Sequence, residues 1–188
     1  MREPHLILWR ALDWPGHEAA RLESVDGEWH LRGAAVLMHG GESCRLDYHV
    51  VCGPDWRTRR ALVQGWIGAR EVRAEIQVDD GRWRMNGAEV PAVEGCVDVD
   101  LNFSPSTNLL PIRRLELDVG QEGAVGAAWL RFPGFQLERL DQTYRRTGGH
   151  AYRYESAGGA FIRDLDVDDA GFPTRYPGLW EAEPVTGG

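Results

Sequence analysis

Two aspartates two residues apart, Asp98 and Asp100, precede an asparagine, Asn108, and two adjacent arginines, Arg113 and Arg114, within one 18-residue stretch. Carboxylates that close together on one strand face could raise one another's pKa and divide acid–base work. Surface or ion-paired aspartates give the same pattern. Val97, Val99, Leu101 and Phe103 alternate with Asp98, Asp100 and Asn102, the period of a strand with one apolar face. Ser104 ahead of Pro105 reads as a cap before a first-turn proline, and Pro111 as the residue that stops this turn early. Leu115, Leu117 and Val119 then alternate with Arg114, Glu116 and Asp118, which predicts a second strand. Counting back by two from Leu115 puts Arg113 on the apolar side, where a guanidinium needs a partner. Two partners stay open: Asp98 or Asp100 in a structural ion pair, or the polar part of a ligand in a cavity that Arg113 and Asn108 face.

The other chemistry-bearing residues form no motif. Asp164, Asp166 and Asp168 sit at the spacing of calcium ligands, but Asp169 stands where such a loop needs glycine and Arg175 where it needs glutamate. A solvated acidic strand face with a turn at Asp169-Ala170-Gly171 is the plainer reading. Six histidines are scattered without zinc-site spacing. Ser43 and Ser104 lie in no nucleophile elbow, Cys44 and His49 read as two sides of one strand, and Gly40-Gly41 and Gly148-Gly149 lack the setting of a phosphate loop. No metal or cofactor is expected.

The elements that must position these residues are strands. The chain has 188 residues, enough for one domain to bury a core without disulfides. Its 23 glycines and ten prolines punctuate short aromatic-rich segments, an all-β signature. Alternation predicts strands over 5–12, 17–25, 29–38, 43–52, 58–66 and 70–79, joined by turns such as Asp26-Gly27, His39-Gly40-Gly41, Asp80-Gly81 and Asn86-Gly87. Further strands are expected over 124–132, 136–146, 150–156 and 161–167; residues 136–146 also carry helical spacing at Leu137, Leu140 and Tyr144. The tail through Tyr176 and Trp180 is too aromatic to be loose, and residues 183–188 should fray.

Charge and cysteines narrow the function. The net charge is −8 and the cations are arginines without a cluster, which argues against nucleic acid or an anionic membrane surface as partner. Three cysteines cannot all pair, so reduced thiols and a cytoplasmic setting are expected. Leu6-Ile7-Leu8-Trp9 is too short for a signal-peptide core and cannot span a bilayer. Eight tryptophans and five tyrosines exceed what one core requires. Core packing and cross-strand pairs explain some of them; a groove that stacks sugar faces or acyl chains is the functional alternative. Trp66, Trp83, Tyr144 and Tyr152 are its candidate rings.

The run from Asp100 to Leu115, with its Pro105, Thr107-Asn108, Leu110-Pro111 and Arg113-Arg114-Leu115, together with Gln142-Thr143-Tyr144, Tyr152-Arg153-Tyr154-Glu155 and Tyr176-Pro177-Gly178-Leu179-Trp180, resembles the bacterial family named putative glycolipid-binding. The resemblance implies one domain over 1–188. It also implies an all-β, many-stranded antiparallel sheet, barrel-like and incompletely closed, with at most one or two short helical turns. Similar architecture is found in periplasmic carriers that shuttle lipoproteins. It carries over no catalytic residue. The reading that results is a binding protein for an amphiphile, a glycolipid or lipid, with Arg113 or Asn108 near its polar part. A small enzyme acting through Asp98, Asp100 and Arg113, and an interaction module without a small ligand, stay open beside it.

Overall fold

Tight turns return the chain on itself throughout, and in the computed structural model the described residues, 3–184, build one sheet of fifteen strands. Strands β1 (His5–Ala11), β2 (Gly16–Val25), β3 (Glu28–His39), β4 (Glu42–Cys52), β5 (Thr58–Ile67), β6 (Arg70–Asp79), β7 (Arg82–Met85) and β8 (Ala88–Glu89) form an antiparallel meander. Asp26-Gly27, Gly40-Gly41, Asp80-Gly81 and Asn86-Gly87 each turn with both residues at positive φ, the geometry whose twist matches the strands it joins.

A second run follows: β9 (Asp98–Leu101), β10 (Glu122–Arg131), β11 (Gln136–Gly148), β12 (Ala151–Ser156), β13 (Phe161–Val167), β14 (Pro173–Tyr176) and β15 (Trp180–Ala182). Its last strand pairs with β1, so the sheet reads from β8 to β1 and then from β15 back to β9. Every pair is antiparallel except β9 with β10, which is parallel because the chain crosses over between them. The ambiguous residues 136–146 are strand, and Tyr176 and Trp180 lie in strands with 7% and 5% exposure. Residues 185–188 of the expected frayed tail lie outside the described residues, but Glu183 is tied: its N–H donates to the Leu8 carbonyl at 2.8 Å.

The sheet is rolled, and the β9 end meets β5 and β7 near the other end through single contacts instead of a ladder. Thr58 N–H donates to the Val97 carbonyl at 3.2 Å, Val99 N–H to Thr58 Oγ1 at 3.0 Å, and the Trp83 indole to the Cys96 carbonyl at 3.1 Å. The architecture is therefore barrel-like and incompletely closed. Alternation holds along the inner face: Leu46, Val50, Val63 and Ile76 have no exposed surface, each such burial being worth about 1.5–3 kcal/mol. The three cysteines are free and buried. No helix of the described residues is long and apolar enough to cross a membrane.

One element differs from expectation. A 3-10 turn, Ser106–Asn108, runs directly into a helix, α1 (Leu109–Leu115), where alternation predicted a strand after Pro111. Pro111 falls in the first turn of α1, where a helix makes no use of the missing N–H, so it does not stop the segment. The helix ends at Glu116, which adopts a left-handed φ of 46°. Leu109, Leu110 and Ile112 are its buried side, at 0%, 1% and 6% exposure.

Candidate functional site

The segment from Asn102 through α1 passes inside the roll, since it bonds to several of its walls. Ser104 Oγ donates to Glu18 Oε1 on β2 at 2.6 Å, and Tyr48 on β4 donates to the same oxygen at 2.6 Å. Ser104 Oγ also accepts the Ser106 N–H at 3.1 Å, a turn contact just ahead of the 3-10 turn, whose N-cap is Pro105 and not Ser104. Asn108 Nδ2 donates to the Tyr144 hydroxyl on β11 at 2.8 Å. Arg114 clamps both oxygens of Asp98, Nε to Oδ1 at 3.1 Å and Nη2 to Oδ2 at 2.6 Å.

Glu18 is fully buried. Burial pushes its carboxyl up to about 8 against the Ser104 and Tyr48 hydrogen bonds, which favours the protonated form near neutral pH, and its Oε2 has no partner among the described residues. Tyr48 reaches it across β3 at Gly33, where a Cβ would stand 2.2 Å from the tyrosine oxygen; only glycine leaves that room. Sequence reasoning passed over Glu18, although it shares strand phase with the inward Ala20 and Leu22.

Beside this segment the inner face leaves a cavity of about 400 Å³. Seven aromatic rings line it: Trp14, Trp129, Phe132, Tyr154, Phe161, Tyr176 and Trp180. Neighbouring rings brace one another, Trp14 with Phe132 at 5.3 Å and Tyr154 with Phe161 at 5.9 Å between centroids. The lining divides by burial. Ser104, Pro105, Asn108, Tyr154, Ser156, Tyr176 and Trp180 are buried, Trp14, Asp100, Trp129, Phe132, Leu140, Phe161 and Leu179 are half-buried, and Asp13, Asn102 and Ala157 are exposed. The buried set is mostly polar-tipped, and the half-buried set, Asp100 apart, is aromatic or aliphatic. Asp100 opens into the cavity: Oδ2 accepts the Gln142 amide at 2.5 Å, while Oδ1 makes no hydrogen bond to the described residues. Burial pushes its carboxyl up to about 6, with the Gln142 bond acting in the opposite direction.

The residues singled out from sequence are dispersed. Asn108 is in the buried part of the cavity lining, and Tyr144, 1% exposed, stands behind it as its hydrogen-bond partner. Arg113 and Tyr152 line a different, shallower cleft of about 320 Å³ with Glu116, Arg146 and His150. Arg113 does not pair with Asp98 or Asp100; Arg114 holds Asp98, because a helix turns adjacent residues about 100° apart where a strand would alternate them. The Arg113 guanidinium instead lies 5.3 Å from the Trp56 ring centroid, and its Nε is buried without a partner among the described residues. Trp83 is in the core, 2% exposed. Trp66 is half-buried on β5, in register with Arg45 and Glu71, out of phase with the inward Val63 and Ile67. Asp98, 1% exposed and clamped, and Asp100, facing the cavity, have separate surroundings despite sharing a strand face. Asp168 Oδ1 accepts hydrogen bonds from the N–H groups of Ala170, Gly171 and Phe172, each at 2.9 Å, a turn closed by its own side chain. The rings that do converge come from strands far apart in sequence, and only the aromatic tail, with Tyr176 and Trp180, carried a local sign of packing inward.

The crystal structure of a DUF1089 family protein from Pseudomonas aeruginosa is similar to this chain, with a TM-score of 0.76 and 30% identity over 87% of this chain and 91% of that one. A β-barrel-like protein of the domain of unknown function DUF1849 from Brucella abortus shares the fold at a TM-score of 0.56 and 10% identity, over 96% of this chain and 94% of its own. No curated protein matches the sequence. The family model described as "putative glycolipid-binding" matches residues 6–182, a span that runs from β1 to β15 and takes in every residue of the cavity lining, and the chain belongs to that family.

Proposed function

We propose that the protein binds an amphiphilic small molecule, a glycolipid or lipid, in the aromatic cavity and does not convert it. The observation that carries this reading is the combination of about 400 Å³ of unfilled space with seven lining rings and a few polar groups, the composition of a small-molecule site. Family membership is consistent with it. Asn108, in the buried part of the lining, contacts the polar part of the ligand, and the half-buried rings Trp14, Phe132 and Phe161 take its apolar part. Arg113, Trp66, Trp83, Tyr144 and Tyr152 act by supporting the fold in this reading, since none of them lines the cavity.

Titration with an alkyl glycoside, followed by tryptophan fluorescence and melting temperature, tests it. Three of the lining residues are tryptophans, Trp14, Trp129 and Trp180, so occupancy should change emission and raise the melting temperature. Native mass spectrometry of freshly purified protein should show a bound amphiphile. If neither alkyl glycosides nor lipids alter fluorescence or melting, and no mass is carried through purification, the cavity is not a binding site.

A further inference from the structure

We infer that the cavity takes its ligand head first and that the head is an uncharged polyhydroxylated group, with Asp100 as the residue that discriminates against anionic heads. This rests on the cavity being the binding site. Among the described residues the lining contains two carboxyl residues, the exposed Asp13 and the half-buried Asp100, and no lysine, arginine or histidine. Arg131 and Arg163 lie against Trp129 and Phe161, at 5.1 Å and 4.4 Å from the ring centroids, but neither lines the cavity. A fatty-acid carboxylate or a phosphate seated here would face like charge with no compensating cation in a partly desolvated space, an arrangement that costs several kcal/mol (about) in comparable interfaces.

A hydroxyl-rich head meets the opposite situation. Asp100 Oδ1 makes no hydrogen bond to the described residues and can accept a hydroxyl, and Gln142 holds the other oxygen and fixes the carboxylate plane. Asn108, Ser156 and Tyr176 bring amide and hydroxyl groups that can donate as well as accept, and the half-buried Trp14, Trp129 and Phe161 rings are the lining aromatics able to pack against the C–H side of a sugar. A quaternary ammonium head would suit the rings and the negative charge, yet it has no acceptor, so the donors of the lining would be buried unpaired. Burial suggests the direction: the buried lining residues are mostly polar-tipped and the half-buried ones, Asp100 apart, are aromatic or aliphatic, so the alkyl part lies on the more open side.

Three probes of equal chain length separate the possibilities: octyl glucoside, octanoate and octyltrimethylammonium. Each is titrated below its micellar concentration at pH 7.5, where an Asp100 carboxyl of about 6 is ionised. The expected result is glucoside binding at least about tenfold tighter than octanoate, with the ammonium probe weaker than the glucoside. Asp100→Asn should bring octanoate to within about threefold of the glucoside, and Asp13→Asn, at an exposed lining residue, should move octanoate in the same direction by less. Binding of all three probes with equal affinity, or of octanoate or the ammonium best, overturns the head-group inference and leaves the cavity as a binding site. No binding by any probe overturns the site itself.

Discussion

Leu31, Leu46, Val50, Val63 and Ile76 close the inner face of β3–β6 to exposures of 1% or less, whereas the inner face of β10–β15 ends in phenol, indole and amide tips around about 400 Å³ of open space. Both belong to one rolled sheet with the same alternation. The difference lies in side-chain type. Branched aliphatic groups interdigitate at crystal-like density, but flat rings with polar tips must keep those tips paired or wet, and they cannot close a curved surface without gaps. The segment from Ser104 to Arg114 runs between the two regions, bonded to Glu18 and Tyr48 on one side and to Asp98 and Tyr144 on the other.

The contrast is most easily broken at that segment. Arg114→Ala removes the bidentate partner of an aspartate that is 1% exposed, and denaturant unfolding should show a loss of about 3–5 kcal/mol. Arg113→Ala beside it, with no acid partner to orphan, should cost under about 1 kcal/mol. Equal losses for the two would mean that the clamp on Asp98 does not anchor α1.

The next test compares the regions directly. Leu46→Ala in the filled half should destabilise by about 2–5 kcal/mol, since a fully buried side chain leaves a void. Trp129→Ala, a half-buried residue already bordering open space, should cost about 1 kcal/mol in the same assay while weakening alkyl glycoside binding. A Trp129 variant as unstable as the Leu46 variant would show the cavity to be part of the core.

Glu18 sharpens the comparison through pH. Its carboxyl is raised from 4.5 in the unfolded chain to about 8 in the fold, mainly by burial, with Ser104 and Tyr48 as the hydrogen-bonding groups that face it. Its protonated form is the one the fold accommodates, so the stability it contributes is complete below about pH 4.5, declines as pH rises, and is gone above about 8. Glu18→Gln keeps the shape and removes the titration. The variant should therefore have a flatter melting temperature between pH 5 and 8 and be more stable than the parent at pH 8.5, by about 1–3 kcal/mol. A parallel pH profile for the two proteins would show that Glu18 does not titrate in this range.

Nearly all of the strand architecture was legible in sequence because a period of two and hairpin dipeptides are local signals. Val72, Ala74 and Ile76 predicted their own inward face, and Asp80-Gly81 its own turn. Residues 112–115 differ from the expected strand because Leu115, Leu117 and Val119 carry a strand's alternation while Leu109, Ile112 and Leu115 also recur at helical spacing, and Pro111, taken as the end of the turn, is tolerated in the first turn of a helix. That single change of period put Arg113 against Trp56, beside neither of the partners the sequence left open, and gave Asp98 to Arg114.

The cavity had no local signature. Trp14, Trp129, Tyr154, Phe161, Tyr176 and Trp180 come together only because β15 closes onto β1 and the chain rolls, and no spacing along the chain encodes a distance across a barrel. By itself the sequence determined which residues turn, which alternate and which family pattern the chain follows, since these depend on neighbours a few positions apart. Tertiary structure alone decided which rings face one another, which aspartate is clamped and which is open, and where the interior stays empty, because those depend on how strands remote in sequence curve around a common space.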